Sequence, residues 1–64
     1  MKKTYSEKLK ELKPRLERGM QREIARMTRI HPQTVSLAFD GFLADEKKNE
    51  KIFVAASSLI LHRT

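Results

Sequence analysis

The sequence predicts an all-α fold, a small four- to five-helix bundle. Three observations carry this expectation. Apolar residues recur at helical spacing, as in Ile24 with Ala25, Val35 with Ala38 and Phe39, and Ile52 with Ala55, Ala56 and Leu59. Cap and breaker residues punctuate these runs: Thr4, Pro14, Gly19, Pro32, Gly41 and Asp45. No strand signal competes, because no segment alternates polar and apolar residues and Asp40-Gly41 is the lone hairpin-like pair.

Thr4 followed by Glu7 has the form of a capping box, so a first helix starts there, with Leu9 and Leu12 as its apolar stripe. Pro14 ends or kinks it, since the ring removes a backbone donor and crowds the preceding turn. Leu16 packs from an irregular or short-helical segment over Pro14–Arg18, and Gly19 turns the chain into a second helix at about Met20–Met27. Pro32 suits the first turn of a third helix, about Pro32–Phe39, where its missing N–H costs nothing. Gly41 after Asp40 is a helix stop. Residues 40–44 form a loop, with Phe42 or Leu43 folding back onto the core. Asp45 caps a last helix reaching about Leu61, with Glu46 well placed in its first turn. The core is expected to comprise Leu9, Leu12, Ile24, Ala25, Ile30, Val35, Ala38, Phe39, Ile52, Ala56 and Leu59, with Met20 and Met27 as filler.

Sixty-four residues make one domain, 1–64. At this size only about 60% of the unfolded surface is buried, which calls for a helix-rich core. The chain has no cysteine, so it carries no disulfide framework or thiolate metal site. Fourteen Lys and Arg against eight Asp and Glu give a net charge of +6, which points to a polyanionic partner. The opening MKKTYSEKLKELK has no apolar run behind it, and Ile52–Leu61 is half the ~20 residues a membrane helix needs. A cytoplasmic protein with no membrane partner is the expectation.

Residues 21–41, QREIARMTRIHPQTVSLAFDG, have the spacing of a helix-turn-helix. Ala25 is small where two helices crossing at ~90–120° would touch, and Ile30 falls in the turn between them. Gln33, Ser36 and Leu37 remain on the outer face of the third helix, with Thr34 beside them.

Gln21–Gly41 resembles the helix-turn-helix of the lambda-repressor-like superfamily. TVSLAFDG followed by DEKKNEKIFVAASSL is similar in particular to the headpiece of lac-repressor-type regulators. Asp45, Glu50, Ile52, Ala55, Ala56 and Leu59 fall at matching intervals, and the likeness covers about 40 residues. Two positions depart from the family pattern. Arg29 replaces the usual turn glycine, which is mildly costly if φ is positive, and His31 replaces the usual Ser or Thr cap. The front half would supply the extra first helix of short phage-type repressors, with Pro14 and Arg18-Gly19 as its end. The chain stops at Thr64, so effector control by a small molecule does not carry over.

The expected function is therefore sequence-specific binding of double-stranded DNA by a transcriptional regulator of phage or mobile-element type. Gln33 can bond bidentately to adenine N6 and N7, Ser36 can bond several base edges, and Leu37 can meet a thymine methyl. The resemblance places Gln21 against the DNA backbone. Arg22, Arg26, Arg29, Thr34, Lys47, Lys48 and Lys51 complete the expected phosphate contacts, and Lys2 and Lys3 could form an arm. A homodimer through Val54, Ser58 and Leu61 of the last helix would double a weak half-site. The alternative is a protein-interaction adaptor built on the same helices without DNA binding. RNA binding ranks third, because Tyr5, Phe39, Phe42 and Phe53 offer no stacking platform. No enzyme is expected: Ser57 and Ser58 lack an activating base, and the carboxylates are scattered. His31 reads as a cap and His62 as a terminal residue, so neither metal nor cofactor is expected.

Overall fold

Thr4 starts the first helix as its spacing predicts, its Oγ1 accepting the Glu7 N–H at 3.2 Å. In the computed structural model, which describes residues 4–17 and 19–63 (only the backbone at Arg63), the elements are α1 (Tyr5–Leu12), a 3₁₀ turn (Lys13–Arg15), α2 (Met20–Thr28), α3 (Pro32–Phe39) and α4 (Glu46–Arg63). Lys2, Lys3 and Arg18 lie outside the described residues. No strand occurs among the described residues, and none of their helices is long and apolar enough to cross a membrane.

Pro14 sits inside the 3₁₀ turn, and the Leu16 N–H closes it on the Lys13 carbonyl at 3.1 Å. Gly19, at φ +89°, then opens α2. Asp45 caps α4 by accepting from the N–H groups of Lys47 (3.1 Å) and Lys48 (3.3 Å). At 18 residues α4 is about 27 Å long, nearly the whole 30 Å of the molecule's longest dimension. It ends at Arg63, two residues beyond the expected Leu61. α4 packs on α1 and α2, while α3 lies against both of those helices at one end.

One buried cluster joins all four helices: Leu9 from α1, Ile24 and Ala25 from α2, Val35, Ala38 and Phe39 from α3, and Ile52, Ala55 and Ala56 from α4. Leu12, Leu16, Ile30, Leu43, Phe53 and Leu59 pack around it, half-buried. Leu12, Ile30 and Leu59 thus rim the core rather than fill it, since they lie at the end of α1, in the turn between α2 and α3, and toward the end of α4, away from the central cluster. Met20 is buried but Met27 is 54% exposed, so only the first is core filler. Phe53 meets Tyr5 with ring centroids 5.7 Å apart, and the Lys8 ammonium lies 4.9 Å above the Tyr5 ring.

A polar knot ties the start of α4 to its surroundings. Glu46 Oε2 accepts the Tyr5 backbone N–H at 3.2 Å, satisfying one of the donors that the first turn of α1 leaves open. Asn49 is fully buried; its Nδ2 donates to the Leu43 carbonyl at 3.0 Å and to Glu46 Oε1 at 3.3 Å. Its Oδ1 has no partner among the described residues.

Arg29 ends α2 at φ +60°, and among the described residues no other non-glycine has positive φ. The left-handed region costs a side-chain-bearing residue about 1–2 kcal/mol, partly offset in a glycine variant by the greater freedom of its unfolded chain. Arg29→Gly is therefore expected to stabilise the domain by about 0.5–1 kcal/mol and raise Tm by a few degrees in a thermal melt. A lower Tm would mean that the arginine side chain contributes more than the turn costs.

Candidate nucleic-acid interface

The end of α2 and the start of α3 are built by local bonds that also set which side chains face outward. Thr28 Oγ1 donates to the Ile24 carbonyl at 2.7 Å, closing the last turn of α2. With Arg29 left-handed, the Ile30 N–H reaches back to the Ala25 carbonyl at 3.2 Å. This bond reverses the chain and sends Ile30 to the core edge. His31 Nδ1 accepts the Gln33 N–H at 3.1 Å, so the imidazole does the work usually given to a Ser or Thr cap. Pro32 follows at the first position of α3.

α3 buries Val35, Ala38 and Phe39 completely. The opposite face then carries Gln33, Ser36 and Leu37 at i, i+3 and i+4. Gln33 is exposed, Leu37 is 42% exposed and Ser36 is half-buried. Thr34 lies half-buried on the flank. Arg22 and Arg26, one turn apart on α2, wall a groove floored by Ala25, Ile30 and Pro32. Both arginines therefore stand beside the start of α3. Arg29 is exposed in the turn itself, and Gln21 is half-buried in the first turn of α2.

The α4 lysines are placed differently. Lys47 and Lys48 are exposed at its first turn. Lys51 instead lines a second groove, between α4 and α2, with Met27, Thr28, Glu50, Val54 and Ala55. Met27 lines this groove and Arg22 the other, while Arg26 and Met27 come together with Glu23 in a third cleft, so the two surfaces meet along α2.

The end of α3 settles which of Phe42 and Leu43 folds back onto the core. The Phe42 N–H bonds to the Leu37 carbonyl at 2.9 Å and the Gly41 N–H to the Ala38 carbonyl at 3.1 Å, the paired bonds of a Schellman stop. Leu43 folds back onto the core, whereas Phe42 is 77% exposed. Its signal in the sequence was the doublet Phe42-Leu43 in a short loop, of which one member must point outward.

Comparison with protein-family models, curated proteins and solved structures finds no match to this chain. The surface presents a face of uncharged side chains bordered by arginines.

Removing the His31 cap leaves the Gln33 N–H without its acceptor. His31→Ala is expected to lower stability by about 1 kcal/mol, and His31→Ser to restore it, in chemical denaturation. Equal stability of the Ala variant would show that the imidazole bond contributes nothing.

Proposed function

We propose that this protein binds double-stranded DNA sequence-specifically, as a transcriptional regulator of phage or mobile-element type. α2, the turn at Arg29 and α3 act as a helix-turn-helix, similar to that of the lambda-repressor-like superfamily. The observation that carries the reading is the outer face of α3, with Gln33, Ser36 and Leu37 turned away from the core and Arg22 and Arg26 walling the groove beside it. Uncharged donors and acceptors suit base edges, and flanking cations suit phosphates. Gln33 reads adenine, Ser36 reads an adjacent edge and Leu37 meets a thymine methyl. Gln21, Arg22, Arg26, Arg29 and Thr34 meet the backbone, with Lys47 and Lys48 as further cations at the start of α4, whereas Lys51 lines the groove beside Met27 and Val54. A net charge of +6 supports a polyanionic partner.

Affinity for duplex DNA should fall with salt at a log–log slope of about −0.9 per phosphate neutralised. Arg22→Ala or Arg26→Ala should weaken binding to all sequences alike and make the slope shallower by about one unit. Gln33→Ala should relax preference at one or two base pairs and leave the slope unchanged. Titration by fluorescence anisotropy at several salt concentrations checks all three, and a flat salt response would refute the DNA reading.

A protein partner is favoured by a separate observation: Met27 and Val54, at 54% and 59% exposure, lie across one groove. Glu50 and Lys51 also line this groove, so it carries one charge of each sign beside its apolar residues. Ser58 and the exposed Leu61 continue this side of α4. A homodimer through this surface would present two copies of α3, calling for half-sites ~34 Å apart or a multiple of that. Sedimentation equilibrium should then give a dimer for the wild type and a monomer for Val54→Lys. A wild-type monomer that stays monomeric on DNA would leave the groove to an adaptor role.

A further inference from the structure

Phe42 is the most exposed large apolar side chain among the described residues, yet the backbone around it is fixed from both sides. On one side stands the Schellman pair of bonds to Leu37 and Ala38. Gly41 holds φ +84° and packs so closely on Lys10 that an added Cβ would lie 2.6 Å from Lys10 Cδ. Asp40 pairs with Lys13. On the other side Leu43 is anchored in the core, and its carbonyl accepts from the buried Asn49 Nδ2 at 3.0 Å. The residues flanking one solvent-facing aromatic ring thus bond to or pack on α1, α3 and α4. A ring with no packing role of its own, held on a rigid base, has the properties of a binding contact, because little conformational entropy is lost when it engages.

We infer that Phe42, together with Leu37, forms an apolar contact for thymine C5-methyl groups at the C-terminal end of α3. This rests on the DNA reading and extends it to a residue outside the face already described. The Phe42 N–H bonds the Leu37 carbonyl at 2.9 Å, which sets Phe42 directly after the last turn of the helix that carries Leu37. The charge around them suits a polyanion: Lys10 lies against Gly41, and the nearby Asp40 is neutralised by Lys13. A phenyl ring has no donor or acceptor for base edges. The thymine methyl is the hydrocarbon group that the major groove presents, and Phe is one of the side chains that meets it.

The test uses the full chain and duplexes selected by it from a random pool. In the tightest duplex each thymine is replaced singly by uracil, which removes only the methyl group, and affinities are measured for wild type and Phe42→Ala. At one position or more the wild type should lose about fourfold per methyl contacted, the equivalent of ~0.8 kcal/mol. Phe42→Ala should bind the thymine duplex more weakly and show no thymine–uracil difference there. Its thermal melt should match the wild type, since the ring is exposed. Equal affinity of the two proteins, or the same thymine–uracil discrimination in both, would overturn the inference while leaving DNA binding intact. Failure of the wild type to enrich any duplex would instead refute the DNA reading, and this inference with it.

Discussion

The complete burial of one face of α3 is the constraint on which the rest of the structure depends. Val35, Ala38 and Phe39 fill the centre of a cluster to which α1, α2 and α4 each contribute. A side chain the size of Phe gains about 1.5–3 kcal/mol from such burial, a large share of what a domain this small can hold in reserve. An eight-residue helix that gives three residues to the core has its remaining positions fixed. Gln33, Ser36 and Leu37 face outward because Val35, Ala38 and Phe39 face inward. The left-handed turn at Arg29 follows from the same demand: α3 must return across α2 within three residues. The packing gain outweighs the cost of placing an arginine there.

The polar contacts serve the same packing. Glu46 and Asn49 at the start of α4 bond the first turn of α1 and the loop after α3, joining three elements where apolar contact is thin. The buried Asn49 amide holds the loop after α3 through its bond to the Leu43 carbonyl. The loop it fixes is the one that holds Phe42 in solvent. Along α2 two surfaces of different chemistry meet, with Arg26 and Met27 lining a common cleft beside Glu23. Arg22 and Arg26 flank the start of α3, and Met27 faces α4 and Val54.

Local chemistry made much of the fold legible in the sequence. Thr4, His31 and Asp45 cap helices, and Pro14, Gly19 and Gly41 interrupt or end them, because each role depends on a side chain or φ value acting within a few residues. Helical spacing likewise identified Leu9, Ile24, Val35, Phe39, Ile52 and Ala56 as core and Gln33, Ser36 and Leu37 as an outward face. Tertiary structure decided the rest. Met20 and Met27 are seven residues apart on one side of α2, so periodicity cannot separate them; the folded chain buries the first, whose Sδ accepts the Glu17 N–H, and leaves the second open beside α4. Asn49 lies on the same stripe as Ile52 and Ala56, but its burial needs acceptors from Leu43 and Glu46 that only the folded loop supplies. Phe42 and Leu43 are adjacent hydrophobes, and which one turns inward was set by the Schellman bonds and by Lys10 against Gly41. Caps and stripes act over one or two turns and can be read along the chain. The covering of a helix end, or the facing of a loop side chain, depends on where a distant element crosses, and a linear pattern does not encode that crossing.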